Sequence, residues 1–339
     1  MTQATRKLPI GRALREAVEA EMSNNEAVMM MGQDIFSFGG VFGVAEGLGE
    51  KFGAERIIDT PISESAVIGA AAGAAMAGMR PIVEMAYVDF IGVCFSAIAN
   101  YAAKTHYMSG GQFQVPMVLL ASTGGGYSNA AQHSQTLHGT LAHMPGMKVV
   151  CPSNAYDAKG MMHTALQGDD FVVYLANIQT IGMMMLGKPI PGTISQVPSE
   201  AYTVPFGEAN VCREGSDVTL IGTAAAVHDC MDAAAVLESD HGISAEVIDP
   251  RTFVPLDRET IFNSVQKTGR LVVVDEDYIS YGVTGEIITS VAEIDPTVFK
   301  SAPRRVAFPD VPSPFSRPME QYCLPSSSKV VSTVLDLMQ

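Results

Sequence analysis

Two doubly wound α/β domains joined by an irregular connector are what this 339-residue sequence predicts, and three observations predict them. Short apolar runs alternate with helix-period segments almost from end to end. The runs are continuously apolar rather than alternating, the pattern of strands covered on both faces in a parallel sheet. One stretch rich in Pro, Gly and Ser, MMMLGKPIPGTISQVPSEAYTVP, interrupts this alternation and reads as a linker over the surface. The first domain is therefore expected over residues 1–187, the linker over 188–204 and the second domain over 205–339. A chain of this length is sufficient for two separate cores.

The elements follow in order. Ile10, Ala13, Leu14, Ala17 and Val18 share one face of an amphipathic helix. Strand-like runs come next: VMMM from Val28, RIID from Arg56, PIVEMA from Pro81, VPMVLLAS from Val115, then MKVVCPS and FVVYLA. Helices are expected after Glu64 and over Phe90–Lys104. Beyond the linker the alternation resumes with DVTLIG, a helix from Ala224, AEVIDP, a helix from Arg258 and RLVVVDED. A helix near Gly282, the strand RRVAFPD and a last helix near Lys329 complete it. One segment stands apart. In DTPISESAVIGAAAGAAMAGMRP, Glu64 is followed by no charge until Arg80. A carboxylate in a first helical turn faces the positive end of the helix dipole, and Ser63 or Ser65 can cap the free amides.

Composition excludes several function classes. Hydrophobic residues make up 47% and charged residues 17%, so partner chains are expected to cover much of the surface. A net charge of −15 repels nucleic-acid phosphates and anionic membrane alike. No apolar run approaches the roughly 20 residues that span a bilayer, and the N-terminal segment lacks a signal-peptide core. The five cysteines, Cys94, Cys151, Cys212, Cys230 and Cys323, form no zinc or redox spacing and fit buried thiols in a reducing cytoplasm. The cluster of methionines in MMMLG reads as adaptable packing.

Motifs for nucleotides are missing. GTAAAVHDC after DVTLIG lacks the spaced glycines of a dinucleotide loop, and no GxxxxGK[ST] occurs. The glycine run Gly124–Gly126 is weak evidence for a phosphate cradle and fits a tight turn equally well. His133 lies just beyond it, at the C-terminal end of an expected strand, where open α/β sheets bind ligands. His138 and His143 follow at five-residue spacing, which does not stack side chains on one helical face, so a metal trio is not expected.

Taken together, DTPISE, GAAAGAAMAGMRPIVEM, AAKTHYMSGG, AAQHSQ, MKVVCPSNAYDAKG and PFGEAN resemble the beta subunit of the thiamine-diphosphate-dependent first component of 2-oxo-acid dehydrogenase complexes. RTFVPLD and KTGRLVVVDE extend the resemblance into the second domain. It implies a thiamine-diphosphate pyrimidine-binding domain followed by a transketolase C-terminal-like domain. Glu64 matches the glutamate that hydrogen-bonds N1′ of the cofactor's aminopyrimidine and so favours the imino form that deprotonates the thiazolium. Phe90 matches the aromatic residue packed on that ring, and Ile62 and Ala86 match neighbouring positions. His133 matches the histidine that faces the substrate and takes part in acyl transfer to lipoate. Thiamine enzymes hold the diphosphate through a magnesium ion on a GDG segment, which this chain lacks. The resemblance therefore implies an alpha subunit that supplies it, in an α2β2 tetramer, with a lipoylated acyltransferase core as the further partner. A potassium ion near Ala165 and Asp170 is implied by the same analogy. Pyruvate, branched-chain 2-oxo acids and acetoin are the implied substrates, and the motifs do not separate them.

This sequence departs from the family at several positions. Gln33 stands where relatives usually carry an acid, Ser96-Ala97 where they carry Asp-Gln, and Ala176 and Ile181 where they carry Glu and Tyr. These departures point to an atypical substrate or partner. They keep open a two-chain transketolase-like or non-oxidative lyase, and a scaffolding chain without catalysis.

Overall fold

Runs without a polar face become the interior strands. In the computed structural model, which describes residues 6–181 and 190–339, Val28–Gly32, Val118–Thr123 and Val172–Asn177 are buried along their whole length. The chain divides into two units. The first comprises the residues up to Thr123 together with Leu141–Phe206, and the second comprises Gly124–Thr140 together with Gly207–Gln339. In the first unit the strands lie side by side in the order Lys148–Val150, Val172–Asn177, Val118–Thr123, Arg80–Met85, Val28–Gly32 and Ile57–Asp59. Every pairing is parallel. Val28–Gly32 is thus the strand from which successive crossovers leave in opposite directions, first to Ile57–Asp59 and then back over it to Arg80–Met85.

Helices cover the faces of this sheet. The apolar stripe of Ile10–Asn24 buries Ile10, Ala13, Leu14, Ala17 and Val18 as its spacing predicts. It packs against Ala155–Gln167, whose Ala155, Ala158, Met161, Met162 and Ala165 enter the same core. The polar seam between these helices is tied by His163 Nδ1 and Glu21 Oε1 at 2.6 Å, with Gln167 donating to the same oxygen at 2.7 Å. Helix Glu64–Met76 turns Ile68, Ala71, Ala72 and Ala75 inward and leaves Gly69 and Gly73 exposed, with open space where a Cβ would stand.

The second unit has a sheet in the order Arg304–Phe308, Leu271–Tyr278, Val218–Gly222, Ala245–Asp249 and Asn210–Arg213. Its pairings are parallel except at the last strand, which runs antiparallel. Helices Ala226–His241 and Ser327–Met338 close one core over it through Cys230, Ala233, Ala234, Leu237, Val330 and Val334. No helix among the described residues is long and apolar enough to cross a membrane.

Three segments differ from the sequence expectation. The stretch Gly124–Thr140, expected within the first domain, packs with the second unit, because its backbone amides find acceptors there. The expected linker lies largely at the surface where it is described, but it is also tied to the first unit. Ser195–Val197 pairs antiparallel with Arg6–Leu8, Tyr202 stacks on Tyr156 at 4.6 Å, and the Val204 carbonyl accepts from Thr164 at 2.7 Å. The methionine cluster at its start lies outside the described residues. Finally, the helix expected over Phe90–Lys104 breaks at Cys94 (φ −111°) and continues as a π-helix over Ala97–Ala102.

Leu14, on helix Ile10–Asn24, is completely buried in the core shared with Ala155–Gln167. Leu14→Ala is expected to lower stability by about 2–5 kcal/mol through lost transfer energy and a residual cavity. A urea titration followed by circular dichroism reads this as a lower midpoint at unchanged slope.

Candidate active site

The reversal of crossover direction at Val28–Gly32 opens a crevice beyond the carboxyl ends of the strands, the place where open α/β sheets bind ligands. The residues lining it come from three adjacent strand ends and one helix start. Gln33 follows Val28–Gly32, Thr60 and Ser63 follow Ile57–Asp59, and Val83, Glu84 and Met85 end Arg80–Met85. Glu64, Val67 and Ile68 open the helix behind them. Thr60 N donates to the Gly32 carbonyl at 2.8 Å, which holds the two strand ends together and sets the turn leading to Glu64.

Glu64 is the first residue of its helix and is half-buried. Its carboxylate belongs to the first helical turn, the favourable end of the helix dipole. The serines beside it do not cap the helix as expected. Ser63 makes no side-chain cap bond, and Ser65 Oγ instead donates to the Val93 carbonyl at 2.7 Å, because the kinked Ile91–Ser96 helix lies within reach. That neighbour also carries Cys94, whose thiol is pushed up to about 11 by burial and, secondarily, by the negative charge of Glu64. Ile62 projects 79% exposed at the rim. Ala86 leaves the end of its strand with its carbonyl accepting from Ser122 Oγ. Phe90 is half-buried and edge-on to Tyr87, with centroids 5.7 Å apart. Glu64, Ile62, Ala86 and Phe90 thus belong to the first unit, whereas His133 belongs to the second.

The floor of the crevice holds a residue that the sequence reading passed over. Glu84 is buried to 5% exposure; Oε1 accepts from Val41 N at 2.6 Å and Oε2 has no partner among the described residues. Burial pushes its pKa up to about 8, the Val41 amide opposing only part of that rise. At neutral pH Glu84 is therefore largely a neutral acid. Gly40 (φ +76°) makes room for it, since a Cβ there would stand 2.2 Å from Glu84 Oε1. Thr60 Oγ1 and Glu84 Oε2, buried and without a partner among the described residues, line this crevice beside the half-buried Glu64, a lining whose polar chemistry fits a heterocycle bearing ring nitrogens and an amino group.

In the second unit His133 sits, half-buried, in the loop between the glycine run and the short helix His138–Ala142. His138 Nε2 meets Asp275 Oδ2 at 2.8 Å and the ring stacks on Phe253 at 4.2 Å. Burial disfavours its charge, but the Asp275 carboxylate and its hydrogen bond, with Asp277 and Glu276 beyond, hold its pKa above the ordinary value. His138, Asp275 and Asp277 are the one set among the described residues whose ligand atoms lie close enough to share a metal ion. His138 and Asp275 are already bonded to each other, Asp275 Oδ1 accepts from Thr223 Oγ1 at 2.6 Å, and Asp277 Oδ2 accepts from Gly139 N while standing 4.0 Å from His138 Nε2. At the turn proposed for potassium, Arg80 donates to the carbonyls of Leu166 and Gly168, and Lys148 stands 3.8 Å from Asp170. A potassium ion near Ala165 would have to share these carbonyls with a guanidinium.

Residues 6–179 match the pyrimidine-binding domain of transketolase and residues 207–330 match the transketolase C-terminal domain. The acetoin:2,6-dichlorophenolindophenol oxidoreductase subunit beta of Cupriavidus necator is 42% identical over 98% of both chains. The chain belongs to the beta-subunit family of thiamine-diphosphate-dependent 2-oxo-acid and acetoin dehydrogenases. The pyruvate dehydrogenase E1 component subunit beta of Rickettsia felis is also 42% identical, over 97% of each chain. The 2-oxoisovalerate dehydrogenase subunit beta of Bacillus subtilis is 38% identical over 96% of this chain. In fold the chain is similar to a split-gene transketolase solved as an inactive beta4 tetramer, with a TM-score of 0.75 at 21% identity and 96% coverage of each chain.

A single charged residue inside an otherwise apolar strand, PIVEMA, was the available signal for Glu84. No comparable signal marked the contacts of His138, because its partners lie more than a hundred residues away in sequence.

Glu84 supplies a test by pH. Its folded pKa of about 8 lies above the ordinary 4.5, so its stabilisation is complete below about pH 4.5 and is lost as pH rises through 8. The thermal unfolding midpoint is expected to fall as pH rises from about 4.5 to about 8 and to level off above that, and Glu84→Gln is expected to flatten that dependence. An equal fall in wild type and variant assigns the pH effect to other groups.

Proposed function

We propose that this chain is the beta half of a thiamine-diphosphate-dependent dehydrogenase that cleaves a 2-oxo acid or acetoin and passes the acyl group to a lipoyl carrier. The observation that carries the reading is the accessible carboxylate of Glu64 at the switch-point crevice of a pyrimidine-binding domain. When bound, the cofactor supplies the electron sink for cleavage next to a carbonyl. Glu64 has the role of holding a proton at N1′ of the pyrimidine, with Ile62, Ala86 and Phe90 enclosing that ring. The half-buried setting of Glu64 and the neutral Glu84 beneath it keep the crevice poor in competing charge. His133 is the proton donor or oxyanion partner during acyl transfer.

The partners follow from the same reading. An alpha subunit contributes the diphosphate and magnesium site in an α2β2 assembly, and a lipoylated acyltransferase receives the acyl group, in the cytoplasm. Gln33 lines the crevice as a neutral amide, at a position where the resemblance implies an acid, and so bears on which substrate the site accepts. The motifs and relatives include both acetoin and pyruvate enzymes, so both compounds are the substrates to test first.

Coexpressed with its alpha chain, Glu64→Gln is expected to lose about 10²-fold or more of turnover, the scale of a removed acid–base group. Unchanged turnover would remove Glu64 from the mechanism. His133→Ala is expected to keep cofactor affinity, measured by calorimetry, and to lose transfer to lipoamide. The isolated chain is expected to bind thiamine diphosphate poorly or not at all.

A further inference from the structure

The glycine run that resembles a phosphate cradle already holds an anion, and the anion is part of the chain. Glu320, in helix Arg317–Cys323, is completely buried. Its Oε1 accepts from Gly126 N and its Oε2 from Ser128 N, both at 2.9 Å. Next to it, Gly125 N donates to Glu276 Oε2 at 3.2 Å. The glycines permit this approach. Gly124 and Gly126 have φ of 93° and 107°, and a Cβ on Gly125 would stand 3.3 Å from Glu320 Oε1 and 3.4 Å from Leu324.

The far end of the same loop is fixed independently. Gly139 N donates to Asp277 Oδ2 at 3.2 Å, beside the bond between His138 and Asp275. Between the two anchors the chain closes on itself through Gly124 N and the Gln135 carbonyl at 3.0 Å. Ser128 and Ala130 adopt left-handed φ of 58° and 60°, a conformation that non-glycine residues hold only when their surroundings impose it. His133 lies within this closed loop. Glu320 is the residue that reaches the loop's strained side with both carboxylate oxygens.

We propose that Glu320 is a positioning residue for His133: its buried carboxylate occupies the glycine cradle and fixes the loop that presents the imidazole. The proposal rests on the reading of His133 as the acyl-transfer residue. Glu320 does not touch the substrate in this scheme and acts only through the loop. Its loss should affect the step that uses His133 more than cleavage of the substrate itself.

The test uses the assembled alpha–beta holoenzyme carrying Glu320→Gln, Glu320→Asp or His133→Ala. Turnover of pyruvate and of acetoin is followed with lipoamide as acyl acceptor and, separately, with a redox dye that bypasses it. Amide hydrogen exchange over residues 124–140 is followed by mass spectrometry. For Glu320→Gln, exchange at the Gly126–Ser128 end is expected to quicken about tenfold beyond any change in exchange elsewhere in the chain. The lipoamide-coupled rate should fall roughly tenfold or more, with the dye-coupled rate within about twofold of wild type. Glu320→Asp, which keeps the carboxylate, should recover part of both losses, and it serves alone if the Gln variant does not fold. Unchanged loop exchange, or equal loss of both rates, overturns the positioning role. If His133→Ala transfers to lipoamide normally, the functional reading fails and the role of Glu320 in transfer with it, whereas the exchange result still decides whether Glu320 holds the loop.

Discussion

The parallel pairing of Val28–Gly32 with a neighbour on each side is the constraint from which the first unit's site follows. Because the chain crosses first to Ile57–Asp59 and then back to Arg80–Met85, the helices that follow these strands leave on opposite sides. The backbone cannot fill the gap between them. Gln33, Thr60 and Glu84 end up around that gap by topology, and the helix that starts at Glu64 presents its first carboxylate to it. The long stretch of Ala and Gly behind Glu64 fits this position. Its inward side is small enough to sit close on the sheet, and its outward side remains open at Gly69 and Gly73.

Three of the buried carboxylates among the described residues are accommodated in physically different ways. Glu84 has one amide for company and responds to burial by holding its proton. Asp275 keeps its place through a histidine and a threonine hydroxyl, so its cost is shared with His138. Glu320 is received by backbone amides that a glycine-rich turn aims at it, the arrangement that elsewhere receives a phosphate. The first solution makes a neutral acid in a crevice, whereas the other two fix a segment of chain. The same kind of side chain therefore stays a neutral acid in one unit and accepts from backbone amides in the other, and surroundings alone decide which.

Much of this was legible in the order of residues. Continuous apolar runs announced buried parallel strands because a strand covered on both faces has no polar side to show. The spacing of Ile10, Ala13, Leu14, Ala17 and Val18 specified a buried helical stripe, and the motifs around Glu64 and His133 were specific enough to indicate the family. Such features are local, and periodicity and short motifs record them directly.

What only the tertiary structure decided depends on contacts between distant parts of the chain. The glycine run was ambiguous as a string of letters, since a tight turn and an anion cradle need the same backbone freedom. The acceptors that fill it lie some 150 and 190 residues further on. Likewise, the linker's attachment to the first unit comes from Tyr202 and Val204 meeting a helix that begins at Ala155, which no local pattern encodes. The sequence by itself determined which segments had to be buried and which carboxylate would open a helix. The fold decided where each buried charge would find its partner, because desolvation and hydrogen bonding act through space and not along the chain.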